Sequence, residues 1–129
     1  MADAHQRSIR PRPLEPDELR ILTLLLAQDF AGADELRAQL PFVRVVGRCT
    51  CGCATVELEV AHERSAPAGR RQSPIPSEAQ VRDAADEPAG GVLIFLKNGW
   101  LAGLEIYSYG DPIPAWPADD RLTLSLVER

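Results

Sequence analysis

The chain has 129 residues, 45% of them hydrophobic and 26% charged, which is the size and balance of one globular domain with a core of its own. Its net charge of -5 disfavours a broad footprint on nucleic acid or on an anionic membrane. No apolar run is long enough to span a bilayer, and Met1 to Arg12 lack the apolar centre of a secretory signal. These features predict a soluble cytoplasmic protein, a monomer or small homo-oligomer, whose cysteines stay reduced.

Residues 1–13 show no periodicity and contain Pro11 and Pro13, so they are expected to form a flexible tail, with a single domain over 14–129. Glu15-Pro16-Asp17-Glu18 then opens a helix: proline has no amide to lose in the first turn, and carboxylates favour the positive end of the helix dipole. The helix is predicted over about 16–28, with Leu19, Leu22, Leu25, Leu26 and Phe30 as its apolar face. After Gly32, residues 34–40 predict a second short helix that Pro41 stops.

From Phe42 the period changes to two. Val43 and Val45, then Val56, Leu58 and Val60, alternate with polar residues and predict two strands joined by a short cysteine-bearing turn. Residues 61–78 are rich in proline, serine and charge and are read as a long mobile loop. A weak strand is predicted over 79–84. Asn98-Gly99 between Val92–Lys97 and Trp100–Tyr109 predicts a hairpin with a type I' turn, because both residues tolerate positive φ. Its first strand is apolar on both faces and should lie inside the sheet. Prolines at 112, 114 and 117 predict a wrapped loop, and Leu122, Leu124 and Leu126 allow a last strand. The fold class is α+β: an amino-terminal helix or helix pair packed on a mainly antiparallel sheet of four to six strands.

All three cysteines of the chain fall in Cys49-Thr50-Cys51-Gly52-Cys53. Thiolates bind soft or borderline metals, so Cys49, Cys51 and Cys53 are the candidate ligands for zinc or another thiophilic ion, and no other cofactor is expected. In a straight strand Cys51 would point away from the other two, so three-sulfur binding requires the backbone to turn inside the motif. A closed zinc site also takes a fourth ligand, and neither His5 nor His62 stands at a recommending distance along the chain. The competing reading treats buried cysteines as small hydrophobes, with Gly52 serving the turn. Arg44 and Arg48 nearby would favour thiolate and redox use, although arginines beside a strand are more often solvated.

Trp100, Tyr107, Tyr109 and Trp116 gather around the late hairpin and the proline-rich loop and are the candidate residues for a protein partner, since aromatic side chains anchor interfaces. Packing within the domain's own core competes with that role. Glu105, and the pair Glu57 and Glu59, are read chiefly as the wet side of a sheet. No nucleophile–base arrangement or phosphate-cradling loop appears. The functional expectation is a non-enzymatic binding protein, regulatory or of the immunity type. The alternative is a cysteine-cluster metal-binding or thiol-sensing domain.

Asp29-Phe30-Ala31-Gly32-Ala33 with Leu36–Leu40, then Arg48-Cys49-Thr50-Cys51-Gly52-Cys53, then Leu104–Tyr109, resemble a family of small uncharacterised proteins from GC-rich bacteria that carry a Cys-x-Cys-Gly-Cys motif. One lysine against thirteen arginines is in keeping with such a genome. The resemblance implies a standalone domain and brings no assigned activity.

Overall fold

Alternating apolar residues pair into ladders wherever the sequence offers them, and in the computed structural model, which describes residues 6–127, they do so seven times. The strands are β1 (Gln6–Pro13), β2 (Val43–Cys49), β3 (Val56–Val60), β4 (Ser77–Arg82), β5 (Pro88–Lys97), β6 (Trp100–Ser108) and β7 (Leu122–Leu126). They form one sheet in the order β1-β2-β3-β6-β5-β4-β7, antiparallel at every pairing. Two helices, α1 (Pro16–Leu26) and α2 (Ala33–Gln39), follow the first strand.

The α+β class and the antiparallel sheet stand, but the sheet has seven strands where four to six were expected, and the helices do not open the fold. Both differences trace to β1. Residues 6–13 were expected in a flexible tail, yet they pair with β2 along the edge of the sheet. Alternation fails as a signal there because the register slips between Ser8 and Arg12, and a bulge breaks the period of two.

An ion pair ties this strand to α1. The guanidinium of Arg12 donates to both carboxylate oxygens of Glu18, at 2.8 and 2.9 Å, and the Glu15 amide donates to Glu18 Oε1 at 2.8 Å. Glu18 is only 4% exposed, and these three charge-assisted bonds are what allow its burial. Drawing Glu18 inward turns the helix. Ile21, Leu22, Leu25 and Leu26 are fully buried, whereas Leu19, expected on the apolar face, is 45% exposed.

One face of the sheet meets these helices in a common core that includes Val45, Leu58, Ile94 and Leu104. The opposite face carries Glu57, Phe95 and Glu105, half-buried, and Tyr107, exposed. The hairpin turns through Asn98 (φ 53°) and Gly99 (φ 84°), as the Asn-Gly pair predicts, and β5 lies between β6 and β4.

The segment between β3 and β4, read as a mobile loop, is strapped to the domain. Ala68 and Ile75 are fully buried, and their amides donate to the carbonyls of Gly99 (2.9 Å) and Ile94 (3.0 Å). Gln39, fully buried at the end of α2, donates to the carbonyls of Ala66 and Gly99 and accepts from the Leu101 amide, so all its near-core bonds are used. No helix among the described residues is long and apolar enough to cross a membrane.

Candidate metal centre

The three cysteines sit where β2 leaves the sheet and the chain turns back into β3. Cys49 ends β2, Cys51 and Gly52 form the bend, and Cys53 re-enters the core. Gly52 adopts φ 97°, a left-handed conformation that an L side chain rarely takes, and this supplies the turn inside the motif that three-sulfur convergence requires.

Two anchors fix the bend. The Cys49 amide donates to the Thr55 carbonyl (3.3 Å), closing the turn across its base, and the Ala54 amide donates to the Ile113 carbonyl (2.9 Å), tying the turn to the proline-rich loop. Thr55 is itself bonded through its hydroxyl to both backbone groups of Ile106 on the central strand β6.

The sulfurs converge. Cys51 Sγ stands between the other two, 2.8 Å from Cys49 Sγ and 3.0 Å from Cys53 Sγ, and all three lie within 4.8 Å of one another. Two sulfurs on one zinc, each at about 2.3 Å, would stand ~3.8 Å apart, so a shared ion needs only a spreading of about 1 Å along the two short edges. Backbone amides complete the cluster: Cys51 N–H donates to Cys49 Sγ and Cys53 N–H to Cys51 Sγ, both at 3.4 Å.

Burial is graded across the triad, with Cys53 buried, Cys49 half-buried and Cys51 exposed. The thiols differ accordingly. Hydrogen bonding to Cys49, then to Cys53, holds the Cys51 thiol below its ordinary value, so the middle sulfur ionises more readily than an ordinary thiol. Burial, then its bond to Cys51, pushes the Cys49 thiol up to about 12. A cation placed among them would reverse that preference, because it favours the thiolate form of every ligand.

The triad forms part of the wall of a cavity of about 290 Å³, opposite Tyr107, Ser108, Gly110 and Pro112, with Gln6, Thr55 and Glu105 alongside. Gln6 reaches it because β1 places Gln6 directly across from Cys49. Sequence reasoning did not pick out Gln6, since its strand was not anticipated. For Thr55 the legible signal was its place two residues beyond the last cysteine.

Of the candidate aromatic residues, Trp100 and the Tyr107–Tyr109 pair lie toward opposite ends of β6. Trp100 opens β6 and stacks on His62, with ring centroids 3.9 Å apart and planes 11° from parallel. Tyr107 lies seven residues further along the same strand, roughly 23 Å away at strand rise. There it lies across Gly91 and meets Tyr109 edge-on at 5.9 Å. Trp116 is half-buried against the core. His62 is therefore committed to the hairpin end of β6, away from the thiols, and His5 lies outside the described residues.

Comparison of the chain with family models, with curated proteins and with solved structures finds no match. Roles for these residues therefore come from their geometry alone.

Proposed function

We propose that this chain is a small non-enzymatic metal-binding domain in which Cys49, Cys51 and Cys53 hold one thiophilic cation at the turn between β2 and β3. The observation that carries the reading is the convergence of all three sulfurs within 4.8 Å on a bend fixed from both sides. Soft thiolate donors select zinc, copper(I) and similar ions over magnesium or calcium. A thiol-sensing role is the same chemistry met by oxidant instead of metal, with Cys51 the first sulfur to react.

A regulatory or immunity-type protein contact has less to support it, because Trp100 stacks on His62 at one end of β6 while Tyr107 meets Tyr109 toward the other, and Trp116 is half-buried against the core. Metal analysis of protein purified without chelator tests the reading. One zinc or copper per chain, reduced to a small fraction by replacing any one cysteine with serine, is the expected result. Metal content near zero, with no change in stability when zinc or copper(I) is added to the reduced protein, would overturn it.

A further inference from the structure

Three cysteines give three sulfurs, and tetrahedral zinc takes four ligands. Among the described residues no other histidine, cysteine or carboxylate joins the cluster, so a fourth ligand would come from outside it, and the three cysteines line the adjoining cavity. Gln6, Thr55 and Glu105 line that cavity and also a second one of about 530 Å³ over the exposed face of the sheet. The two meet at these residues and form one trough that leads away from the thiols. Together they fall in the size range of small-molecule sites.

The chemistry along the trough is ordered. After the sulfurs comes Glu105, then Glu57 and Phe95 on either side of Gly103, and finally Lys97, the only lysine in the chain. Phe95 faces Gly103 across the ladder, and the missing side chain keeps the floor low. Where the two cavities meet, Gln6 Oε1 is buried and accepts no hydrogen bond among the described residues. An acceptor in that state calls for an N–H.

Resting on the thiolate reading above, the geometry points to a small peptide-like thiol as the fourth ligand, its sulfur on the metal and its body in the trough. Its ammonium group faces Glu105 and Glu57, an amide N–H reaches Gln6 Oε1, and its carboxylate meets Lys97. Lys97 pairs with Trp100, five residues along β6 from Glu105, roughly 17 Å at strand rise. A tripeptide at roughly 3.5 Å per residue covers most of that span, and the lysine side chain covers the rest. Binding is a ligand exchange: the thiol proton leaves to solvent, a metal–sulfur bond forms, the solvent ligand departs, and no electron is transferred.

The test uses the reduced full-length chain with one equivalent of cobalt(II), and glutathione as the probe. Cobalt alone should give a thiolate-to-cobalt charge-transfer band, and glutathione should raise it by about one third as three sulfurs become four. S-methylglutathione should leave it unchanged. Glutathione affinity should fall about tenfold in Glu105→Gln and in Lys97→Met, while 2-mercaptoethanol, which lacks both charges, should bind all three proteins alike. A band that glutathione does not move, or that it moves equally in wild type and both variants, would overturn the proposal. So would a band that responds to glutathione only after His5→Ala, since the fourth ligand would then be that histidine. No band with cobalt alone would remove the metal reading itself, and the proposal with it.

Discussion

Thr55 and Ile106 hold each other twice: the Thr55 hydroxyl accepts from the Ile106 amide at 2.9 Å and donates to the Ile106 carbonyl at 3.3 Å. Because the Thr55 carbonyl also accepts from the Cys49 amide, the base of the thiol turn is fixed to the central strand of the sheet. Thr55→Val keeps the side-chain shape and leaves two buried backbone groups without their partner. It should cost about 1–3 kcal/mol in urea unfolding, with Thr55→Ser recovering most of the loss. A valine variant as stable as wild type would show that this pair does not hold the turn.

The thiols should react in order. In reduced, metal-free protein Cys51 is exposed and its thiol lies below the ordinary value, whereas Cys49 is half-buried and pushed up to about 12. The reactive species is the thiolate, so as pH rises Cys51 should reach full alkylation rate earlier than free cysteine, and Cys49 should remain slow through neutral pH. Peptide mapping after brief iodoacetamide treatment across pH 5–9 checks this; faster labelling of Cys49 than of Cys51 would contradict it.

Metal affinity should rise with pH. Cys49 is a neutral thiol near pH 7, so loading must release its proton, and acid competes with the metal for the site. Competition titrations at pH 6 and pH 8 should show tighter binding at pH 8, and isothermal calorimetry in buffers of different ionisation enthalpy should show proton release. Affinity independent of pH would exclude Cys49 as a ligand.

Much of the fold was legible because apolar period and turn chemistry are local. Pro16 and the acidic first turn marked α1, Asn98-Gly99 marked the hairpin, and alternating valines marked β2 and β3. What escaped depends on contacts distant in sequence. Nothing around Gln6–Pro13 shows that Arg12 will meet Glu18, and without that pair both the extra edge strand and the burial of Glu18 in place of Leu19 are hidden. In the loop before β4 the prolines signal exposure, and the burial of Ala68 and Ile75 through bonds to the hairpin is not legible locally. At the site, the cysteines and the need for a turn were readable. The trough was not, because Gln6 and Glu57 reach the face of the β5–β6 hairpin only through the pairing of β1 with β2 and of β3 with β6.

Arg12→Ala should destabilise the domain by about 2–3 kcal/mol, toward the low end for breaking a buried pair, because Arg12 is partly exposed while Glu18 is left nearly enclosed. Hydrogen exchange should quicken in β1 before it does in β5 or β6. Uniform exchange across the sheet, with no loss of stability, would show that the pair does not anchor the edge.

The turn of α1 set by Glu18 is tested by two leucines three residues apart. Leu22→Asp places a charge at a fully buried position and should abolish the folded circular dichroism spectrum, whereas Leu19→Asp, on the exposed side, should cost less than about 1 kcal/mol. Equal damage from both would mean that the helix buries a different face.

X-ray absorption at the zinc edge of the reduced, zinc-loaded chain tests the thiolate centre most directly. Three sulfurs at about 2.3 Å from one zinc per chain are expected, with the zinc–sulfur shell lost in Cys51→Ser. A first shell of oxygen and nitrogen with fewer than three sulfurs in the wild-type protein would contradict it.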